Sequence, residues 1–321
     1  MRVPSVLRSR SKGPRALSTA YSVLLGSVGY ESRARYLCSR LANRAQVRLA
    51  PAFTFSRVLE YQSNLGKLRR LGFNIEELAD EAFPDWVIAN VIPPVDASDL
   101  PACVDISSMT RARIASTVWA FATAGSARAY TVDFVYAPAK FTRPPSAPVP
   151  IEEVGPVSPE FAGLETDPAF PTVAVVGVGY EVDKAVGACE FLDPGSIWAL
   201  KPKGPEDLYN SAVEEANKDF WAILPKHNIR SYEVDNPFGT FVALESMVFG
   251  LLADARPLLV PLGPKIFALV SMLVALTHYD RVGIWRVSSG TSEVPVDRKP
   301  AGRVVALRVR FDSQPQEPVI G

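Results

Sequence analysis

Short apolar runs recur along the chain, each stopped by glycine, proline or a polar turn, and most lead into segments with apolar positions three and four apart. Runs of the first kind predict buried strands and segments of the second kind predict amphipathic helices. Residues 21–25 predict a strand, and 31–43 a helix with Tyr36, Leu37 and Leu41 on one side. Residues 47–55 predict a strand, 56–71 a basic amphipathic helix closed by Gly72, and 86–92 and 102–106 further strands. A helix over 108–122 and an alternating strand over 130–136 complete this part. The order then recurs: strand 172–176, helix 182–191, strand 196–200, long helix 205–224, strand 229–234, apolar helix 240–252, strand 257–260, buried helix 266–276, strand 282–287 and a last edge strand over 304–311. Alternating strands and helices predict the α/β class, with two pseudo-duplicated Rossmann-like halves, each a mainly parallel sheet flanked by helices.

The duplication is written in residues. Leu24-Leu25-Gly26-Ser27-Val28-Gly29-Tyr30-Glu31 is echoed by Val175-Val176-Gly177-Val178-Gly179-Tyr180-Glu181, with the two glutamates 150 positions apart. The junction Asp105-Ile106-Ser107-Ser108 pairs with Pro261-Leu262-Gly263-Pro264 at an offset of about 155, and the strands starting at Thr131 and Val282 pair at about 151. Self-similarity in one order across three places predicts repeated architecture. Between the copies, residues 138–171 carry Pro144, Pro145, Pro148, Pro150, Pro156, Pro159 and Pro168, which predict a linker with room for one short edge element. The expected divisions are a basic leader over 1–20, a first half over 21–137, the linker, and a second half over 172–315.

Composition narrows the class. The chain has 321 residues, 48% hydrophobic and 21% charged, so each half can bury a core without disulfides or metals. The formal net charge is zero, so no global field draws nucleic acid or a membrane. The start is the exception. Arg2, Arg8, Arg10, Lys12 and Arg15 precede any acidic residue, which predicts a disordered leader, a targeting segment or an arm that touches nucleic acid. Cys38, Cys103 and Cys189 are odd in number and far apart, which fits reduced thiols in a cytoplasmic protein. His227 and His278 form no ligand pair, so neither a metal nor a resident cofactor is expected. The most apolar stretch, 238–276, is broken by charges and prolines and predicts no membrane span.

Chemistry is expected where strands run into helices, because ligands collect beyond the carboxyl ends of strands and helix N-termini suit anions. The loop Gly26, Ser27, Gly29, Glu31 is one such place, with backbone contact to a phosphate or nucleoside set against a plain turn whose glutamate favours the helix dipole. Asp105, Ser107, Ser108 and Arg111 form the second, a hydroxyl- and arginine-bearing anion site or a helix cap. Gly177, Gly179 and Glu181 repeat the first. Gly263 and Lys265 repeat the second, with a lysine at a helix start that would welcome a nearby anion. Asp235 ends a strand, where it either caps the following helix or holds a ribose hydroxyl. For catalysis the candidates are Asp105 with Glu31 or Glu181, as paired carboxylates.

The turn Pro261-Leu262-Gly263-Pro264-Lys265, followed by an apolar helix, resembles the Rossmann-type sensor domains of bacterial immunity, the CARF domains of CRISPR systems and the related SAVED domains. The chain departs from that family in lacking a Gly-Gly-Thr-Lys turn. The resemblance implies a cyclic oligonucleotide as ligand and a sensing or accessory role in antiviral defence. The expectation is therefore a nucleotide-binding sensor, with a separate effector protein and a homo- or hetero-oligomeric state among its partners. A nucleotide- or nucleic-acid-processing hydrolase and a non-catalytic scaffold subunit stand as the alternatives.

Overall fold

The structure, a computed structural model, describes residues 17–144, 150–163, 167–290 and 294–312. Most of the expected basic leader, with its targeting and nucleic-acid readings, lies outside the described residues. The chain divides into two compact units, Met1–Pro138 with Val296–Gly321, and Ala139–Pro295.

The first unit is built on β1 (Tyr21–Leu25), β2 (Ala45–Leu49), β5 (Ala102–Asp105) and β6 (Tyr130–Tyr136), all parallel, with β13 (Val305–Phe311) antiparallel at the edge, in the order β13-β6-β5-β1-β2. Every residue of β1 and β5 is buried, as expected of central parallel strands covered on both faces. One face carries the short helix α1 (Tyr36–Leu41) and α2 (Tyr61–Arg70), whose Leu37, Cys38, Leu41, Tyr61 and Leu68 form a core with Leu24 and Cys103. Helices α3 (Phe83–Asn90), α4 (Ile92–Asp96) and α5 (Arg111–Ala124) pack together, with α4 also against β1. Two short strands, β3 (Ala52–Phe53) and β4 (Glu77–Leu78), pair in parallel, and a bridge from Leu49 to Asn74 joins this pair to the end of β2. Counting that segment as a broken third strand gives the order 3-2-1-4-5, the first five strands of the doubly wound Rossmann order.

The second unit has the same order unbroken. Its strands are β8 (Thr172–Gly177), β9 (Ser196–Lys203), β10 (Ile229–Glu233), β11 (Arg256–Pro261) and β12 (Gly283–Ser288), with β7 (Glu153–Pro156) antiparallel beside β12. Helices α6 (Lys184–Leu192), α7 (Asp207–Ala216), α8 (Lys218–Ile223), α9 (Pro237–Leu251) and α10 (Lys265–Thr277) complete it. Residues Ile266–Leu276 of α10 are all buried, the condition of a helix that is apolar all round. The pairings repeat across the units: Leu24 lies beside Cys103 as Ala174 lies beside Leu258. Each unit thus carries one antiparallel edge strand next to its fifth parallel strand.

Several expectations are corrected. Residues 86–92 are not a strand. Pro84 opens α3, and Phe83, Trp86 and Val87 bury one side at helical spacing. The long helix over 205–224 is two helices broken at Asn217, and the proline-rich 138–171 carries β7. The final strand belongs to the first unit, not to a second half over 172–315. It pairs along its whole length with β6. Arg308 fixes the pairing, donating from Nε and Nη2 to the two oxygens of buried Asp133 at 2.7 Å each, while the Tyr21 hydroxyl donates to the same carboxylate at 3.0 Å.

Candidate functional site

In the 3-2-1-4-5 order, crossovers leave strands one and four in opposite directions, so a crevice opens between their carboxyl ends. In the first unit those ends carry the loop from Gly26 to Glu31 after β1 and the loop from Ile106 to Thr110 after β5. The fold brings the two loops together. A side chain added at Gly29 would lie 3.5 Å from the Ser108 Cβ and 3.7 Å from the Phe53 ring. Gly26 is also required, because a Cβ there would run into the Cys38 thiol. Ser27 is 2% exposed, and the buried hydroxyl oxygens of Ser27 and Ser108 have no hydrogen-bond partner among the described residues. Buried hydroxyls are normally satisfied by protein or water, so these two remain available to a bound group.

Thr110, not Ser107 or Ser108, caps α5, accepting from the Arg113 backbone N–H at 3.1 Å. Thr110 also donates to Asp80 at 2.8 Å. Asp80 in turn accepts from buried Arg113, whose guanidinium lies 3.9 Å from the centre of the Phe53 ring. This network leaves Ser108 out of the helix cap and fixes the helix N-terminus, with Arg111 as its first residue.

The two catalytic candidates are placed differently from a hydrolytic pair. Asp105 is 2% exposed; its Oδ1 accepts from the Ser107 backbone N–H at 3.0 Å and from the Ser107 hydroxyl at 2.5 Å. Ser107 Oγ also accepts from the Ala137 N–H at 2.9 Å. Burial pushes the Asp105 carboxyl up to about 6, against the pull of those hydrogen bonds and of the Arg33 charge. The Cys38 thiol, held protonated by its own burial, donates to Asp105 Oδ2 at 3.7 Å. Glu31 is buried between two arginines, Arg33 beside it and Arg298 at 3.0 Å. Asp297, the neighbour of Arg298, accepts from the Ser32 backbone N–H at 2.6 Å and from the Ser32 hydroxyl at 2.7 Å. Residues returning from the far end of the sequence therefore complete the first loop.

A buried asparagine holds each copy of the loop, which sequence reasoning missed. Asn64 donates from Nδ2 to the carbonyls of Gly29 at 2.7 Å and Glu31 at 2.9 Å. In the second unit Asn217 donates to the carbonyl of Gly179 at 2.8 Å. The signal available was the position of each asparagine inside a helical segment, where this residue is a weak former.

The second unit's crevice is closed. The Phe267 ring lies directly against Gly177, the counterpart of Ser27, and stacks on Tyr232 with centroids 4.6 Å apart. The amides of Leu262 and Gly263 both donate to the Gly177 carbonyl, at 2.8 and 2.9 Å, and a Cβ on Gly263 would strike the Val178 carbonyl. The Glu181 carboxylate folds back over Gly179, and Lys265 begins α10 half-buried. Asp235 is exposed and does not cap α9. Asn236 does, accepting from the Gly239 N–H at 3.1 Å. His278 meets Glu245 at 3.1 Å, away from these loops. No group of three or more His, Cys, Asp or Glu suited to a metal occurs among the described residues, and no helix among them is long and apolar enough to cross a membrane.

The chain matches no family model and no curated protein sequence. Among solved structures it is similar to the cytoplasmic domain of a prokaryotic cation chloride cotransporter, at 9% identity over 85% of this chain and 97% of that one, with a TM-score of 0.23. A likeness of that size carries no argument about activity.

Proposed function

We propose that the first unit binds a nucleotide at its crevice and that the chain acts as a binding protein, a sensor or an accessory subunit, rather than as a hydrolase. One observation carries the reading: the orphaned hydroxyls of Ser27 and Ser108 in two loops that touch beside the N-terminus of α5. Hydroxyls, helix amides and a first-turn arginine are the donor set that a phosphate takes. The reading is confined to the first unit, since in the second the Phe267 ring lies against Gly177, the counterpart of Ser27. The turn that resembles CARF and SAVED domains has its amides engaged internally, so the reading rests on the first unit and is made for a nucleotide in general; a cyclic oligonucleotide and a defence role are its narrower form.

The hydrolase alternative needs a carboxylate open to substrate, and Glu31 and Asp105 are both buried with partners. Three buried thiols, none in a disulfide, suit the cytoplasm as the setting. Mass spectrometry of small molecules released from the purified protein, with thermal shifts across a nucleotide panel, tests the proposal. A nucleotide that stabilises the wild type but not Ser108→Ala supports it. No released nucleotide and no shift with any member of the panel would overturn it.

A further inference from the structure

The segment that follows β3 bears on the class of ligand. Residues 54–60 leave the sheet at Phe53 and return at Tyr61, whose hydroxyl donates to the Phe53 carbonyl at 3.3 Å and closes the base of the loop. The Glu60 N–H donates to the Tyr30 carbonyl at 3.1 Å, which ties the loop to the glycine turn of the crevice. Arg57 pairs with Glu77 at 2.7 Å on the outer side. Ser56 and Leu59 hold left-handed backbone, with φ of 51° and 50°. That region is disfavoured for non-glycine residues, and for a bulky leucine it marks a shape imposed by its surroundings.

The imposed shape presents apolar side chains to solvent: Phe55 is 50% exposed, with Val58 and Leu59 exposed beside it. Phe55 is not a stray surface residue. Its ring packs on Phe53 with centroids 5.3 Å apart, and Phe53 itself is held by the Arg113 guanidinium. Phe53 also lines the crevice, 3.7 Å from the position of a Cβ on Gly29. A row of neighbouring residues therefore runs from Ser108, past Gly29 and the Phe53 ring, to the exposed Phe55 ring.

We infer that Phe55 is the base platform of the nucleotide site. The phosphate sits among Ser27, Ser108 and the start of α5, and the heterocycle stacks on Phe55. This inference rests on the nucleotide reading above and sharpens it: the ligand must carry an aromatic base, not only phosphate. Stacking of a base on an aromatic side chain tolerates any base, which matches a platform that offers no fixed hydrogen-bonding group.

The test titrates the full chain with two probes by calorimetry: ATP, and inorganic tripolyphosphate, which has the charge without the base. Wild type is compared with Phe55→Ala, Phe55→Trp and Ser108→Ala. Phe55→Ala is expected to weaken ATP about 10-fold or more, given the usual size of base stacking, and to leave tripolyphosphate unchanged. Phe55→Trp is expected to retain ATP, with its indole fluorescence quenched on binding, and Ser108→Ala to weaken both probes. Unchanged ATP affinity in Phe55→Ala, with both probes weakened in Ser108→Ala, would overturn the platform and leave the site standing. Equal loss of both probes in Phe55→Ala would also overturn it, by showing that Phe55 only shapes the loop. If wild type binds neither probe, the nucleotide reading fails and takes this inference with it.

Discussion

Replacing Asp105 by asparagine isolates the price that the crevice sets on stability. Burial raises this carboxyl to about 6 from an ordinary 3.8. One pKa unit corresponds to about 1.4 kcal/mol, so keeping the group ionised costs the fold on the order of 3 kcal/mol at neutral pH. The folded state holds the proton more tightly than the unfolded chain does. The stability tied to this group is therefore fully present below pH of about 4 and is lost as pH rises through 6. Asparagine keeps an oxygen for the Ser107 backbone and hydroxyl donors and has no charge to desolvate. Urea unfolding of both proteins from pH 4 to 8 measures the effect, since every other titrating group is common to the two. Asp105→Asn should match the wild type near pH 4 and exceed it by about 2–3 kcal/mol at pH 7.5. A difference that does not vary with pH, or an asparagine variant that is weaker at pH 7.5, would refute the reasoning. If the gain is found, the natural chain keeps a destabilising buried carboxylate at the carboxyl end of β5.

Asn64→Ala leaves the carbonyls of Gly29 and Glu31 without their donor inside a packed core, and should cost about 2–4 kcal/mol in thermal or urea unfolding. Asp133→Ala removes two hydrogen bonds from Arg308, which keeps the one to Ser18, and those from the Tyr21 and Ser18 hydroxyls. Because the Arg308 side chain is 41% exposed and can rehydrate, the loss should be about 2–3 kcal/mol, below that of a fully buried pair, with a coupling above about 1 kcal/mol to Arg308→Ala in a double-mutant cycle. Gly177→Ala pushes into the Phe267 ring and should destabilise by about 1–3 kcal/mol in the same assay, whereas Ser27→Gly at the matching position should cost less than about 1 kcal/mol.

The central strands were legible because burial on both faces leaves an uninterrupted apolar run, as in Tyr21–Leu25 and Thr172–Gly177. The same rule misplaces residues 86–92, since a short apolar run reads alike in a buried strand and a buried helix, and only Pro84 and the spacing of Phe83, Trp86 and Val87 separate them. The alternation of the last strand was visible, but its partner was not. Periodicity reports which face is buried and not which sheet supplies the neighbour. For the same reason Arg298 and Asp297, far along the sequence, could not be foreseen as the partners of Glu31 and Ser32. The repeated glycine loops were found as similar, yet their difference lies in what a missing side chain admits: a phenylalanine ring at Gly177, and an unpaired hydroxyl at Ser27.

The edge strand β13 also sets an order of events during synthesis. The first unit's sheet ends at β6 until the whole of Ala139–Pro295 has been made, because its last strand is encoded after that unit. A ribosome therefore delivers every strand of the second unit's sheet while the first still lacks the partner of its edge strand, and an unpaired edge is open to wrong pairing. A chain that stalls or is cut before Val305 would lack the partner of β6, and Asp133 would lack Arg308.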